Sequence, residues 1–177
     1  MKLVILDRDG TINHDSEHFI KSVEEWRPIA GSVEGIARLT QAGYRVVVAT
    51  NQSGIARGLL TTRTLFEIHE HLQRAVVQAG GRIDAFFFCP HADAAACQCR
   101  KPKPGMLLEV AQRFNVSLRD TYMVGDALRD VQAAAAAGAR PVLVLTGKGK
   151  KTHEGDNLPP GTQVFPDLAA FAEHLAP

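Results

Sequence analysis

The chain has 177 residues, 45% of them hydrophobic, which is enough for one folded domain with a buried core and little more. Its 20 basic and 19 acidic side chains leave a net charge of +1, which argues against a dedicated nucleic-acid or membrane surface. No apolar run approaches the ~20 residues that span a bilayer, and the opening "MKLVILDRDG" turns acidic too early for a secretion signal. In chain order, five short runs rich in Leu, Ile, Val and Phe stand out: 3–6, 45–50, 85–89, 121–126 and 141–145. Continuous apolar runs of that length suit strands buried on both faces, as in a parallel sheet. Helical patterns alternate with them. "SVEGIARLTQAG" has Ser32 as its expected N-cap and Gly43 as its stop. "TTRTLFEIHEHLQRAVVQAGG" sets Leu65, Ile68, Leu72 and Val76 on one face. "PGMLLEVAQRF" places Pro104 near a first helical turn, "DVQAAAAAGA" ends at Gly138, and "DLAAFAEHLA" closes the chain. The alternation predicts a single α/β domain over 1–177 with a mainly parallel sheet. The polar stretch 146–161 reads as a mobile loop whose lysines form a solvated face, with a phosphate contact as the alternative.

In open α/β sheets, ligands bind beyond the carboxyl ends of the strands. The polar residues expected there are Asp7 and Asp9, then Thr50, Asn51 and Gln52, then a Cys/His loop with Arg100 and Lys101, then Asp126 and Asp130. Carboxylates gathered this way repel one another unless a cation lies between them, and an all-oxygen set suits Mg²⁺. A cation with a lysine and a hydroxyl is what phosphoryl transfer requires, since its catalysis is mostly positioning and charge stabilisation. A carboxylate can act as nucleophile and carry the phosphoryl group, and a second acid two residues on can protonate the leaving oxygen and then activate water. Asp-x-Asp-Gly or Gly-Asp alone would be an ordinary turn; four such elements at successive strand ends in order are not explained that way.

All three cysteines fall in "CPHADAAACQCRKPKPG", giving Cys89-x-His91-x5-Cys97-x-Cys99. Three thiols do not make a disulfide framework and fit a reducing, cytoplasmic setting. Three sulfurs and an imidazole suit tetrahedral zinc, and four protein ligands leave no open position, so the metal would be structural. Free thiols, a catalytic cysteine and a redox pair are the competing readings. Because the loop is alanine-rich, metal binding would supply its order and fix the backbone just before Arg100 and Lys101.

"ILDRDGT", "VVATNQSG", "CRKPKPGM" and "MVGDALRD" resemble the four motifs of the haloacid dehalogenase (HAD) phosphatase superfamily, over residues 2 to about 147. "DRDGTIN", "TNQSGIARG", the Cys/His loop and "TGKG" more narrowly resemble the D,D-heptose 1,7-bisphosphate phosphatases, with histidinol-phosphate phosphatases as close relatives. The resemblance implies a Rossmann-like three-layer sandwich, a sheet ordered 3-2-1-4-5 with helices on both faces. It implies Asp7 as nucleophile, Asp9 as acid then base, and Thr50 and Lys101 as phosphate stabilisers. Mg²⁺ would be held by Asp7, the Asp9 carbonyl and Asp126, with Asp130 orienting its water shell, and the Cys/His set would take Zn²⁺. It places substrate contacts on Asp15, Ser16, Glu17 and His18, on Thr50, Asn51, Gln52 and Ser53, and on Arg100 and Lys101. Arg57 is a further candidate contact. Many heptose phosphatases carry Gly-Tyr after the aspartate of the first loop; "DSEHF" here departs from that and leaves the sugar and its anomer open. Neither the first connection nor the Cys/His loop is long enough for a cap domain, so short loops must set specificity. The expected activity is Mg²⁺-dependent hydrolysis of a sugar phosphate, first of all the 7-phosphate of heptose 1,7-bisphosphate in surface polysaccharide precursor supply, by a cytoplasmic monomer. Histidinol phosphate is the alternative substrate. A phospho-aspartate receiver is the alternative from another class, opposed by Asp9, which would hasten loss of the acyl phosphate; a phosphomutase would want a cap.

Overall fold

Leu3, Val4, Ile5 and Leu6 are all buried, because their strand lies at the centre of a sheet covered on both sides. The computed structural model describes residues 1–177. It contains β1 (Leu3–Leu6), β2 (Arg45–Asn51), β3 (Ala85–Cys89), β4 (Tyr122–Gly125), β5 (Arg140–Val144) and β6 (Gln163–Phe165), in the order β3-β2-β1-β4-β5-β6. Every neighbouring pair is parallel. The five expected strands and their order are present, and β6 extends the sheet beyond β5.

The helices are α1 (Ser32–Gln41), α2 (Thr62–Gln78), α3 (Gly105–Phe114), α4 (Leu128–Ala137), α5 (Gly149–Glu154) and α6 (Leu168–Leu175). Side chains alternate across each strand and divide between two cores. Val4, Leu6, Val46 and Val48 pack with Ile36 and Leu39 of α1, Leu65, Ile68, Leu72 and Val76 of α2, and Leu168 and Phe171 of α6. Leu3, Ile5, Val47 and Ala49 pack on the other face with Met106, Leu107 and Val110 of α3 and Ala133 and Ala134 of α4. Truncating a fully buried leucine such as Leu72 to alanine costs about 2–5 kcal/mol.

The cap of α1 differs from expectation. Gly31 occupies the N-cap at φ 78°, and Ser32 is the first helical residue. Its Oγ donates to the Ile12 carbonyl at 2.6 Å, tying α1 to the loop after β1 instead of capping its own helix. The stretch 146–161 is not all loop: α5 lies within it. The connection between β1 and α1 contains only a 3-10 turn at Val23–Glu25, and the one between β3 and α3 only a second at Asp93–Ala95. Neither holds a cap, so the carboxyl edge of the sheet is closed by short loops alone.

Candidate active site

Three strand ends build the floor of the site. Asp7 follows β1 directly, and its backbone N–H donates to the Val124 carbonyl of β4 at 2.8 Å, so sheet pairing continues to the catalytic edge. Asp126 follows β4, and Thr50 lies in the last turn of the ladder on β2. The carboxylates of Asp7, Asp126 and Asp130 all come within 4.8 Å of one another, and all three are buried. Lys101 arrives from the loop after β3. Its ammonium lies 2.8 Å from Asp7 Oδ1, 2.7 Å from Asp130 Oδ1 and 2.8 Å from the Ala49 carbonyl. Although Lys101 is buried, those carboxylates more than offset desolvation and hold its pKa above the ordinary value. Asp130 also accepts from the Ala127 N–H at 3.0 Å, so it fastens the start of α4 to the same cluster.

The acidic cluster carries more negative charge than it can neutralise. Burial, then the fields of Asp7 and Asp130, push Asp126 up to about 8. Burial and Asp130 push Asp7 up to about 6 despite Lys101 and Arg129 nearby. Asp126 Oδ1 is buried without a hydrogen-bond partner, while Oδ2 accepts the Lys148 N–H at 2.7 Å. A carboxylate set with an orphaned buried oxygen is what an oxygen-seeking divalent cation fits. Space around it is reserved by glycine. A Cβ at Gly10, which sits at φ 84°, or at Gly147, at φ 52°, would overlap the Asp126 carboxylate.

Asp9 has the opposite environment. Burial alone would raise its pKa, but Arg8, Asn13 and Gln52 outweigh burial and hold it below the usual carboxylate range. Arg8 Nε and NH2 bind the two Asp9 oxygens at 2.9 and 3.0 Å, Asn13 Nδ2 donates at 2.9 Å and Gln52 Nε2 at 3.0 Å. Arg8 is fully buried, and its NH1 lies 3.3 Å from His69 Nε2 of α2. Burial and the Arg8 charge depress His69 to about 3, so it stays neutral and can accept from the guanidinium. Two carboxylates two residues apart are thereby held in different states by their surroundings.

A cleft of about 220 Å³ opens over this floor. Asp7, Asp9, Thr50, Asn51, Gln52 and Ser53 line it from the strand ends, Asp15, Ser16 and Glu17 from the first loop, and Arg100 from the Cys/His loop. His18 and Arg57 lie outside the lining; Arg57 sits over the Phe19 ring at 5.8 Å. A larger hollow of about 790 Å³ between α1 and α6 adjoins Lys2, at the opposite end of β1, and has no carboxylate cluster. Sequence reasoning missed Arg129 on the cleft wall and the Arg8, Asn13 and His69 support beneath Asp9; Lys148, also on the wall, was read first as part of a solvated face. Arg129 stood one residue before Asp130 in "GDALRD", a place at a strand end that earned attention only for its acids.

The thiols converge as a separate centre. Cys89 Sγ lies 3.1 Å from Cys99 Sγ, 3.6 Å from Cys97 Sγ and 3.6 Å from His91 Nδ1; Cys99 Sγ lies 3.4 Å from His91 Nδ1. Tetrahedral zinc would separate its sulfurs by about 3.8 Å and sulfur from nitrogen by about 3.5 Å; the donor set fits a four-coordinate metal, and the spacings lie near these values except for Cys89 and Cys99, which sit closer, at 3.1 Å. Asp93 in this loop pairs with Arg100 Nε, and the His91 carbonyl takes Arg100 NH1 at 3.4 Å. Lys101 has an additional anchor. Asn51 Nδ2 donates to the Lys101 carbonyl at 3.0 Å, and the Lys101 N–H donates to Asn51 Oδ1 at 3.1 Å.

Comparison with known proteins follows this geometry. Residues 98–171 match the HAD-hydrolase-like family. The chain is 55% identical over 177 residues to the D-glycero-beta-D-manno-heptose-1,7-bisphosphate 7-phosphatase of Neisseria meningitidis, covering 99% of this chain and 95% of that one. It superposes with a TM-score of 0.97 on the crystal structure of D,D-heptose 1,7-bisphosphate phosphatase from B. bronchiseptica complexed with magnesium and phosphate, at 56% identity over 99% of this chain and 98% of that one. The corresponding enzyme from Burkholderia thailandensis gives a TM-score of 0.80 at 51% identity, with 99% and 98% covered. The chain belongs to the D-glycero-beta-D-manno-heptose-1,7-bisphosphate 7-phosphatase family of HAD-like hydrolases.

Proposed function

We propose that this chain is a Mg²⁺-dependent phosphatase that removes the 7-phosphate of D-glycero-beta-D-manno-heptose 1,7-bisphosphate through a phosphoryl group carried on Asp7. The observation that carries the reading is the buried Asp7–Lys101 pair, 2.8 Å apart, on the floor of a cleft beside Asp126, Asp130 and Asp9. Relatives of that name, alike over nearly the whole length, support the substrate.

Asp7 is the nucleophile. Lys101 holds Oδ1 and leaves Oδ2 without a hydrogen-bond partner to attack phosphorus in line. The Lys101 ammonium is already surrounded by three oxygens, so it acts as a fixed positive charge beneath the phosphoryl group and as the positioner of Asp7. Thr50 Oγ1 accepts from Gln52 Nε2 at 3.0 Å, which keeps its own proton available for a phosphoryl oxygen. Asp9 rests ionised; the arriving phosphate's negative charge raises its proton affinity, and Asp9 takes up one proton from solvent as the substrate binds, before phosphoryl transfer. As the Asp7–phosphorus bond forms and the phosphorus–sugar oxygen bond breaks, Asp9 gives its proton to the departing oxygen. Asp9 then takes a proton from water, whose oxygen attacks phosphorus and frees phosphate and Asp7. Mg²⁺ held by Asp7, the Asp9 carbonyl and Asp126, with Asp130 behind, supplies charge neutralisation for the phosphate and for the carboxylates themselves. Cys89, His91, Cys97 and Cys99 would hold Zn²⁺, which would order the loop that delivers Arg100 and Lys101. The edge from Asp15 to Glu17, the run Asn51 to Ser53, and Arg100 line the cleft where the sugar lies.

The protein acts as a cytoplasmic monomer in heptose precursor supply; three unpaired thiols fit a reducing compartment. No helix is long and apolar enough to cross a membrane. The test is a kcat/KM series with Mg²⁺ over both anomers of heptose 1,7-bisphosphate, histidinol phosphate and hexose phosphates. The beta bisphosphate leads on this account. Faster turnover of histidinol phosphate would overturn the substrate, and absence of phosphate release from any of them would overturn the activity.

A further inference from the structure

Arg8 and Arg100 are both committed: Arg8 to Asp9 and His69, and Arg100 to Asp93 and the His91 carbonyl. Arg129 differs. It stands in the first turn of α4, half-buried, on the cleft wall. Its Nε is buried without a partner, and none of its nitrogens forms a hydrogen bond or ion pair. A buried guanidinium N–H left unmade costs free energy, roughly 1–3 kcal/mol, and a fold retains such a group where a ligand completes it.

Burial disfavours its charge, but the fields of Asp7, Asp130, Asp126 and Asp15 outweigh that, so Arg129 remains a cation. Those carboxylates attract it without binding it. The scissile phosphoryl group already has Lys101, Thr50 and the cation site, and Arg100 has two of its donor groups engaged within its own loop. A bisphosphate brings a second dianion into the same cleft, and a planar fork of donors is the side chain best suited to take it.

We infer that Arg129 binds the substrate's second phosphate and is the residue by which this site prefers a sugar bisphosphate to a monoester. The inference rests on the proposed phosphatase activity and adds to it a specificity-determining group. Lys148 stands on the same wall, but its Nζ is paired with Asp15 Oδ2 at 3.2 Å, which leaves Arg129 as the uncommitted cation.

The test compares kcat/KM for heptose 1,7-bisphosphate with that for the same sugar carrying only the 7-phosphate, in the wild type, Arg129→Gln and Arg129→Lys. Arg129→Gln lowers the bisphosphate-to-monoester ratio about 10- to 100-fold, the range of a lost charge-assisted contact, chiefly through KM. Arg129→Lys recovers part of the ratio, since it restores charge without the fork. An equal loss on both substrates would overturn the inference by assigning Arg129 to the reacting phosphoryl group or to the acidic cluster. An unchanged ratio would overturn it as well. Wild-type enzyme that hydrolyses neither sugar phosphate contradicts the proposed function itself, an outcome separate from either of these.

Discussion

The acidic centre and the Cys/His loop lie next to each other in space but are held by different means. Asp7, Thr50 and Asp126 sit at or just beyond the ends of strands whose flanks are filled by two cores, so their backbone positions follow from packing. The loop from Pro90 to Cys99 has alanines at 92 and 94–96 and no large apolar anchor, and four side chains able to ligate a metal converge in it. Arg100 depends on that loop through Asp93 and the His91 carbonyl. Lys101 is shared, since Asn51 at the end of β2 grips its backbone in both directions. The boundary between a site held by the sheet and one held by the Cys/His loop therefore falls between two consecutive residues.

The severest way to probe the core-supported side is Asp7→Asn. Turnover falls by at least ~10⁴, with the thermal midpoint not lowered, because one of the mutually repelling carboxylates is gone. Phosphate release and calorimetry on the same sample check both halves. Next is Lys101→Met, which leaves Asp7 and Asp130 buried without their shared cation. A loss of about 3–5 kcal/mol in urea unfolding is expected, on top of lost activity. A Lys101→Met protein as stable as the wild type would mean that the pair is not part of the structural core.

The support beneath Asp9 has a pH signature. His69 is depressed to about 3 when folded and titrates near 6.5 when unfolded. The unfolded chain therefore binds a proton that the folded one refuses, and stability falls as pH drops from about 6.5 toward 3, by on the order of 2–3 kcal/mol at pH 4. Denaturant midpoints for His69→Gln should fall less steeply over that window. The mildest global effect belongs to the ligand-supported side. With Zn²⁺ proposed on the Cys/His set, Cys97→Ala would abolish metal binding there, raise KM about tenfold by loosening Arg100, and change overall stability little, because the tie between Asn51 and Lys101 remains. Unchanged KM in a demonstrably metal-free variant would separate the loop from substrate binding.

Elements with a strong physical signature were legible in the amino-acid order. Five strands read as apolar runs because β1, β2, β4 and β5 are covered on both faces and β3 is largely aromatic, and Asp7, Asp126 and Asp130 do gather at one edge. β6 was missed: it has three residues, none fully buried, and one covered edge gives no apolar run. α5 was missed for a similar reason, being six residues of mostly exposed polar chain. Ser32 looked like a cap because cap chemistry is local, whereas its actual partner, the Ile12 carbonyl, is twenty residues away. The same limit hid the support of Asp9. Nothing local joins Arg8 to His69, since only the packing of α2 against the sheet brings them to 3.3 Å. Arg129 went unassigned, and Lys148 was left among the lysines of a solvated stretch, because a lone cation on a helix turn or in a polar run looks like surface until the cleft is formed.

The most direct test of the central claim is anomalous diffraction from crystals soaked in Mn²⁺ as a stand-in for Mg²⁺. One ion bound between Asp7 and Asp126, beside the Lys101 ammonium and abolished by Asp126→Ala, is the expected result. An ion at another face, or none at that edge in crystals of active enzyme, would contradict the account.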